Sequence, residues 1–321
     1  MEPTSDPIII PGLVSTIIPV YNRPEMIHKA VESVLEQTYR PIEIILVNDG
    51  STDNTGEVLD SFQEKNPQDI KVLHKENGGP GLAREAGRKI AIGEFIQYLD
   101  SDDWLLPNKF EDQVAALREN PECGIAYGIT RVVNDKGEIL TESSKGTGVV
   151  REHLFPALLV DRWWHTHTPL YTRRVSDAAG EWFKRRPEDW DLEARMGAHN
   201  TRLTHCGTVV SCHRNHSSEN RVSKGNHEAY LRDEAWFLPR LYECALLAGV
   251  RKESPEMQHF SRWAFMRSRH LAVIGEAELA EQAVQLAQES AIARAWDVHL
   301  TRVVAAFVGW RVLGRLFRLW S

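Results

Sequence analysis

Short apolar runs alternate with amphipathic stretches through the first third of the chain. Runs typical of buried strands cover 14–20, 42–47, 70–73 and 95–99, and stretches with one apolar face separate them. This alternation predicts strand–helix–strand units, which pair as a parallel sheet with right-handed crossovers. Ligands of such sheets bind beyond the carboxyl ends of the strands. We therefore expect the functional residues at that edge.

The later part of the chain has a different pattern. Helices are predicted over 107–119 and 188–199, strands over 123–133 and 208–211, and helical patterns again from residue 228 onward. The composition shifts near Gly225. This shift predicts an α/β domain over residues 1–224, followed by a helical extension over residues 225–321.

A polar cluster follows each predicted strand of the first part. The clusters are YNRP at 21–24, NDGS at 48–51, NGGPG at 77–81 and DSDD at 100–103. An Asp-x-Asp pair at a strand end supplies the hard oxygen ligands that Mg²⁺ or Mn²⁺ prefers, and such an ion neutralises a diphosphate. The alternative for one such pair is an acidic, solvated turn.

Five motifs in register carry a family resemblance. VSTIIPVYNRP, ILVNDGSTDNT, NGGPGLAREAG, YLDSDDW and PEDWDLEAR occur in this order. Over about residues 13–222 the chain resembles the family 2 glycosyltransferases. The resemblance implies a GT-A fold, which is a Rossmann-like, mostly parallel α/β sheet flanked by helices, here with a helical C-terminal extension. It also implies an inverting, metal-assisted transfer from a nucleotide-diphosphate sugar, expected to be a UDP-sugar, to a hydroxyl acceptor in polysaccharide or glycoconjugate assembly.

The strand ends are expected to bind the donor. The residues matching the family's donor site are Pro19, Tyr21, Asn22, Asp49, Gly79, Arg84, Asp100 and Ser101. Tyr21 can flank a flat base, and the Asp49 carboxylate can accept the imide N–H of a pyrimidine. Arg84 suits a phosphate and follows a glycine run that lets a ligand approach the backbone. Asn22 is also predicted to cap a helix that has Pro24 in its first turn. Helix capping is the alternative for Asp49 and Ser51 and is compatible with binding, and a plain loop is the alternative for the glycine run.

The resemblance also assigns the metal ligands. Asp102 matches the direct ligand of Mg²⁺ or Mn²⁺, and His216 matches a last contact to the metal or diphosphate, with His213 as the alternative. Asp103 is expected to cap the next helix. Asn48 and Glu85 stand where the family usually has Asp and Asn.

One carboxylate must take the acceptor's proton in an inverting transfer. Asp189 matches the family's base, and Glu188 beside it is expected to orient the acceptor. The alternative is that acids at a helix N-terminus only favour the helix dipole. Asp191 is expected on another side of the helix, where a substitution would have a milder effect.

Composition narrows the class and location of the protein. The chain has 321 residues, a net charge of -7 and a pI near 6.0, which argues against nucleic-acid binding. Four cysteines do not make a disulfide framework, so a reducing cytoplasm is expected. The chain begins without the pattern of a signal peptide, and no apolar run is long enough to span a bilayer. We expect a cytoplasmic protein, with peripheral contact to the inner face of the membrane as the alternative.

The tail over residues 300–321 suggests that contact. It has four arginines and no acid, with Arg311, Arg315 and Arg318 on one side of a helical wheel. Another face carries Trp310, Leu313, Phe317 and Trp320. This pattern suits a helix on an anionic membrane. The alternative is a helix that packs on the protein itself or on a second subunit.

Other readings of the sequence remain open. A sugar nucleotidylyltransferase also uses Asp and Mg²⁺, but it would open with a GGxGTR-like loop rather than PVYNRP. A non-catalytic nucleotide-sugar-binding protein is the second alternative. Zinc is a further possibility at His205, Cys206, Cys212, His213 and His216. Trp163, Trp164, His165 and His167 are candidates for an acceptor surface or for the core.

Overall fold

A computed structural model describes residues 8–215, 227–292 and 296–318. The described residues form two compact units. The sheet unit lies within Met1–His153, Trp163–Lys184 and Thr201–Ser217, and the helical unit lies within Leu154–Arg162, Arg185–Asn200 and Ser218–Ser321. The helical unit thus includes two segments that precede the boundary predicted at residue 224.

Strands and helices alternate in the first half of the sheet unit. The strands are β1 (Ile10–Val20), β2 (Ile42–Asp49), β3 (Ile70–Lys75) and β4 (Gly93–Tyr98). The helices between them are α1 (Met26–Leu35), α2 (Thr55–Lys65) and α3 (Pro80–Ile90). The strands pair in parallel in the order β3–β2–β1–β4. Strands β2 and β3 lie on one side of β1 and β4 lies on its other side, so the order in which strands are added reverses between β1 and β4. Open sheets of this kind bind ligands at that reversal.

The second half of the sheet is mixed rather than mostly parallel. It contains β5 (Trp104–Leu105), α4 (Lys109–Glu119), β6 (Cys123–Asn134), β7 (Ile139–Thr141), β8 (Leu170–Thr172), α5 (Arg173–Ala179) and β9 (Arg202–Asn215). The order continues β4–β8–β6–β9–β5, and β7 pairs with β6. Strands β6 and β9 pair in parallel, whereas β8, β5 and β7 pair antiparallel to their neighbours. The α/β class and the first parallel strands are as predicted.

The tryptophan pair lies in the core. Trp163 and Trp164 are buried, and their rings pack edge-on against the ring of Tyr127 with centroids 5.0 and 5.5 Å apart. Their faces are therefore unavailable to a sugar. Of the two readings of this pair, the core reading is correct, and the proposed acceptor surface is wrong for these two rings.

The helical unit consists of a short 3-10 helix and six α-helices in the described residues. They are Ala157–Leu159, then α6 (Glu188–Ala198), α7 (His227–Leu247), α8 (Pro255–Val273), α9 (Ala277–Ser290), α10 (Trp296–Val308) and α11 (Trp310–Arg318). Pro255 opens α8, where the Ser254 hydroxyl accepts a hydrogen bond from Met257 N at 3.2 Å. The helical extension is confirmed. Within the described ranges, no helix combines the length and the hydropathy that crossing a bilayer requires.

Helix α11 packs on the helical unit through the apolar face that the sequence suggested for a membrane. Trp310 and Leu313 are buried, and Trp310 Nε1 donates to Glu281 of α9 at 3.0 Å. The Arg269 guanidinium of α8 lies 4.7 Å from the centroid of the Phe317 ring. Trp320 lies outside the described residues. This face is therefore an internal contact, because burying it against α8 and α9 removes its apolar area from water.

A lysine is buried between α4 and the segment before β8. Lys109 is fully buried, and its Nζ donates to Gln113 Oε1 at 2.6 Å and to the Thr168 carbonyl at 2.8 Å. Burial lowers the pKa of Lys109 to about 7, and the opposing effect of Cys206 is smaller. The folded state therefore favours the neutral form of Lys109, and a charged Lys109 lowers the free energy of unfolding.

We expect the stability of the protein to rise with pH above 7 because of Lys109. The folded-state pKa lies below the unfolded value, so between about pH 7 and 10 the unfolded chain binds the extra proton. One proton changes the free energy of unfolding by about 1.4 kcal/mol per pH unit. Urea unfolding at pH 7 and pH 9 should therefore show a smaller rise for Lys109→Met than for wild type. The same change at exposed Lys65 is the control, and an equal effect of both variants would contradict the assignment.

Candidate active site

Three polar loops lie at the carboxyl ends of β1, β2 and β4, at the reversal of the sheet. They begin at Tyr21, Gly50 and Leu99. A fourth loop, Glu76–Gly79, leads from β3 into α3 and lies against the second. A Cβ atom on Gly50, which has φ +72°, would lie 2.6 Å from Asn77 N. The loops therefore meet closely, as predicted for this edge.

The Asp49 carboxylate organises the glycine loop. Its Oδ1 accepts from Gly78 N at 2.9 Å, and its Oδ2 accepts from Gly79 N at 2.8 Å. Lys75 Nζ lies 2.5 Å from Oδ1. Asp49 is 3% exposed and caps no helix. Oδ1 thus already faces two donors, and one lone pair of Oδ2 remains for a further donor, such as the imide of a base.

Asn22 joins the first loop to the second instead of capping α1. It has φ +51°, its N donates to Ser51 Oγ at 3.0 Å, and its Oδ1 accepts from Thr52 N at 2.8 Å. The helix begins later, at Met26, so the predicted cap is wrong. Asn48 Oδ1 closes the second loop by accepting from Ser51 N at 3.0 Å. Amide side chains therefore hold both loops.

Arg84 reaches the Asp-x-Asp loop from α3. Its side chain is buried, its Nη2 donates to Asp100 Oδ1 at 2.6 Å, and its guanidinium lies 4.9 Å from the centroid of the Trp182 ring. Glu85 turns elsewhere: its carboxylate accepts two hydrogen bonds from Arg88, each at 2.9 Å. The two residues thus have separate roles, with Arg84 at the strand edge and Glu85 in an ion pair within α3.

Arg23 is a site residue that the sequence reasoning missed. Its Nη1 lies 2.5 Å from Asp102 Oδ2, and both side chains are largely buried. The signal was its position in YNRP, in the loop that directly follows β1, because β1 is the strand that pairs with β4. Together with Arg84, it places a guanidinium on each carboxylate of the Asp-x-Asp pair. Tyr21 is 45% exposed next to Arg23, whereas Ser101 is buried between the two carboxylates.

Asp103 lies in a buried histidine cluster and does not cap a helix. His213 Nδ1 is 3.0 Å from Oδ1, and Arg214 N donates to the same oxygen at 2.8 Å. His167 Nδ1 lies 2.9 Å from Oδ2, without the alignment of a hydrogen bond. The His165 ring stacks on His213 with centroids 4.2 Å apart. Since α4 begins at Lys109, the predicted cap is wrong.

The cluster shifts the proton affinities of its members. Burial alone would raise the pKa of Asp103, but the charges of His167 and His213 hold it well below its usual range. Burial alone would lower the pKa of His213, but the hydrogen bond and charge of Asp103 raise it above its ordinary value. Burial, together with His167 and His213, holds the pKa of His165 well below its ordinary value. Asp103 is therefore a buried, charged anchor.

Oxygen and nitrogen ligands for a metal converge beside this cluster. Ligand atoms of Asp100, Asp103 and His167 lie within 4.8 Å of one another. Carboxylate oxygens with an imidazole nitrogen suit Mn²⁺, and the carboxylates also suit Mg²⁺. Among the described residues, this group is the candidate set, and it does not include the predicted ligand Asp102. The other predicted ligand, His216, lies outside the described residues.

The described residues of the zinc alternative do not converge. Cys206 and Cys212 are free thiols, and the side chain of His213 is engaged by Asp103. His205 Nε2 lies 2.9 Å from the Thr147 carbonyl. No metal-ligand cluster within 8–215, 227–292 and 296–318 contains these residues.

In the helical unit, the predicted base is held by an arginine. Asp189 Oδ2 lies 2.8 Å from Arg162 Nη1, and Asp189 Oδ1 accepts from Trp190 N at 2.8 Å. Arg162 is itself fixed by a buried, two-pronged ion pair to Glu193, with distances of 2.9 and 2.7 Å. Glu188 is buried in the first turn of α6. The Asp189 side chain keeps about a quarter of its surface exposed, so it is oriented and remains accessible.

Asp191 is a structural residue and cannot serve as a mild control. It is 1% exposed, and its carboxylate pairs with Arg195 at 2.9 Å and with Arg240 at 2.6 Å. Removing its charge would leave two arginines without their buried partner. A substitution of Asp191 is therefore expected to affect the packing of α6, and not to be mild.

A protein-family model matches the part of the chain that forms this edge of the sheet. The model of glycosyl transferase family 2 matches residues 15–174, which include all three strand-end loops. The chain belongs to glycosyl transferase family 2. The chondroitin synthase of Pasteurella multocida is 34% identical over 173 residues, which are 52% of this chain and 18% of that protein.

Solved structures show the fold of this family 2 chain. S. aureus TarS 1-349, crystallised in complex with UDP-GlcNAc, superimposes with a TM-score of 0.68 at 17% identity, over 95% of this chain and 91% of TarS. The mannosyltransferase PcManGT of Pyrobaculum calidifontis, in complex with GDP-Man and Mn²⁺, gives a TM-score of 0.52 at 17% identity, over 96% of this chain and 87% of that one. The predicted GT-A fold is confirmed.

Several curated relatives align with this chain over only a small part of their own length. This family 2 chain spans less than a quarter of the length of three relatives with which it aligns over 146 residues. Those relatives are therefore much longer proteins, and their activities apply to this chain only as proposals.

Proposed function

We propose that this chain is an inverting glycosyltransferase that takes a sugar from a nucleotide-diphosphate donor. The observation that carries the proposal is the pairing of Asp100 and Asp102 with Arg84 and Arg23 where the sheet reverses. Carboxylates and guanidinium groups in one place suit a diphosphate with its metal. Family membership and the complexes of TarS with UDP-GlcNAc and of PcManGT with GDP-Man support a nucleotide-sugar donor.

We propose UDP as the nucleotide. The exposed Tyr21 ring would lie on the base, and Asp49 would accept its imide N–H on the remaining lone pair of Oδ2. Asn22, Gly79 and Ser101 would shape the pocket through the loops that they occupy, and Pro19 would do so from the end of β1. Arg84 would contact a phosphate, since its guanidinium is already directed to the strand edge by Trp182 and Asp100.

We propose Asp100 and Asp102 as the carboxylates that hold Mg²⁺ or Mn²⁺, with His216 as a further contact. Asp103 is less suited as a ligand because its oxygens already face His167, His213 and Arg214 N. A bound divalent ion would neutralise the diphosphate and its departing charge. Asp103 is then a positioning residue for the two carboxylates before it.

Asp189 is the proposed base. It would take the proton of an acceptor hydroxyl while that oxygen bonds to the anomeric carbon from the face opposite the leaving group. The bond from that carbon to the nucleotide diphosphate breaks with its electron pair on the departing phosphate, and the configuration inverts. Arg162 orients the Asp189 carboxylate and lies in place through Glu193. Glu188 would orient the acceptor.

We propose a glycan or glycoconjugate hydroxyl as the acceptor, within cell-envelope polysaccharide assembly. The family 2 relative named chondroitin synthase supports a polysaccharide role. We place the reaction in the cytoplasm, because all four cysteines are free thiols, as a reducing compartment would keep them.

Calorimetry of UDP binding tests the donor and metal assignments. We expect wild type to bind UDP more tightly with Mn²⁺ than with EDTA, because the diphosphate then faces a neutralised Asp-x-Asp pair. Asp102→Ala should bind weakly in both buffers and lose the difference. The effect should exceed about tenfold in Kd, which corresponds to about 1.4 kcal/mol.

The matched control is Asp112→Ala, because Asp112 is a partly buried carboxylate that accepts from Thr208 Oγ1 at 2.6 Å on α4. It should bind UDP as wild type does. Equal UDP affinity of wild type and Asp102→Ala, with and without Mn²⁺, would remove the metal from the proposal.

A further inference from the structure

An exposed apolar ridge runs along α10. It consists of Trp296, Leu300, Val303 and Phe307, of which Trp296 is 75% exposed and Phe307 is 85% exposed. The spacing of four, three and four residues places these side chains on one face of the helix. Val298 and Ala305 are buried, about half a turn away on the wheel. The α10 ridge therefore points away from the face by which the helix packs.

Helix α11 exposes a mixed face. Arg311, Val312, Arg315 and Leu316 are exposed on it, whereas Trp310, Leu313 and Gly314 are buried. A Cβ atom on Gly314 would lie 2.0 Å from the Ala272 carbonyl oxygen, so α11 touches the α8 backbone directly. This close packing fixes which side of α11 faces outward.

The charge of this surface is positive beyond the first turn of α10. Asp297 is exposed in that turn, and residues 298–321 contain no acidic side chain. Arg302 is neutralised by Glu281 of α9 at 2.7 Å. Arg311 and Arg315 form no ion pair with any residue in the described ranges. The α10 ridge thus exposes large apolar side chains, and the exposed face of α11 adds Val312 and Leu316 beside two arginines that have no ion-pair partner in the described ranges.

Few kinds of binding partner suit a surface that has both exposed apolar side chains and positive charge. Apolar side chains of this size, exposed side by side, indicate an interaction surface. Aromatic residues with arginines and no acid are typical of helices at the boundary of an anionic bilayer. A symmetric dimer through the same surface would bring the arginines of both copies into one interface, and like charges there oppose association.

We propose that the α10 ridge and the exposed face of α11 bind the surface of an anionic lipid bilayer. The apolar side chains enter the boundary between headgroups and acyl chains, and Arg311 and Arg315 contact lipid phosphates. The surface differs from the one that the sequence suggested, because the face with Trp310 and Leu313 is buried in the protein.

Flotation of the full chain with vesicles tests this surface. We expect wild type to float with mixed phosphatidylglycerol and phosphatidylcholine vesicles and to stay unbound with phosphatidylcholine alone. Trp296→Ser with Phe307→Ser should lose binding to the anionic vesicles. Arg311→Gln should lower the partition coefficient about fivefold, and a second change at Arg315 should lower it by a similar factor again.

Leu247→Ser is the matched control, since Leu247 is a 68% exposed apolar residue at the end of α7. Its variant should float as wild type does. Absence of wild-type binding to anionic vesicles, or equal binding of the ridge variant, overturns the proposal. Concentration-dependent dimers that the ridge variant abolishes in sedimentation velocity, without vesicle binding, would assign the surface to a second copy instead.

The proposal does not rest on the proposed glycosyl transfer. Vesicle binding is read without donor or acceptor, so its failure leaves the transfer untouched. Conversely, a protein that floats but transfers no sugar would keep the membrane surface and lose the reaction.

Discussion

Asp189→Asn should bind the donor as wild type does and lose about 10²–10⁴-fold in transfer rate. An amide keeps the size of the carboxylate but cannot take a proton near neutral pH. Arg162 would stay in place because its two hydrogen bonds to Glu193 do not involve Asp189. The measurement is nucleotide release with acceptor, beside UDP affinity by calorimetry.

Asp161→Asn is the matched control for this variant. Asp161 is an exposed carboxylate adjacent to Arg162, and it belongs to the same unit as α6. It should keep its turnover. If Asp189→Asn keeps most of its turnover while Glu188→Gln loses it, the base is assigned to the wrong residue. If both stay active, α6 does not carry the catalytic base.

Asp103→Ala should lower the free energy of unfolding by about 3–5 kcal/mol, which is typical of removing one partner from a buried charge pair. The variant would leave His167, His213 and Arg214 N facing a cavity instead of a carboxylate. The pKa of His213, which Asp103 raises, should fall as well. Urea unfolding measures the first effect, and the pH titration of the His213 ring by NMR measures the second.

The stability that Asp103→Ala loses should depend on pH. Because Asp103 has a lowered pKa when folded, its contribution is complete above about pH 4 and is lost as the pH falls. Because His213 has a raised pKa, its contribution is complete below about pH 6.5 and is lost as the pH rises. The difference between wild type and variant should therefore be largest between these values.

An exposed aspartate–histidine pair provides the control for Asp103. Asp60 Oδ1 lies 3.0 Å from His74 Nε2, and both side chains are about half exposed. Asp60→Ala should cost less than about 1 kcal/mol, because solvent screens the pair. Equal losses in Asp103→Ala and Asp60→Ala would mean that burial does not strengthen the Asp103 cluster.

The sequence predicted the first half of the sheet well because local patterns determine it. Each of β1, β2 and β4 is an apolar run long enough to be read alone, and each ends in polar residues. Strands β5 and β8 are two and three residues long, so their period cannot be read, and they exist only through pairing with β9, β6 and β4. Pairing between strands that are distant in sequence therefore gives the second half of the sheet both parallel and antiparallel neighbours.

The site was predicted in its location but not in its contacts. The loops after β1, β2 and β4 were identified from strand-end polarity. The partners of their carboxylates were not, because they are distant in sequence: Asp103 and His213 are separated by 110 positions. A short acidic run reads locally as a helix cap, and only the fold brings the histidines to Asp103. The roles of Asp49, Arg84 and Asp189 stay predictions until they are measured.

The strand-end loops are cross-linked by side chains. Asn22 bonds to the second loop, Asp49 holds the glycine loop, and Arg23 of the first loop pairs with Asp102 of the third. Residues that share such bonds do not contribute independently, so the free-energy effects of two substitutions here would not add. A change of nucleotide preference through one loop therefore alters the geometry of the others. Variants with new donors would have to be selected with several of these loops randomised together.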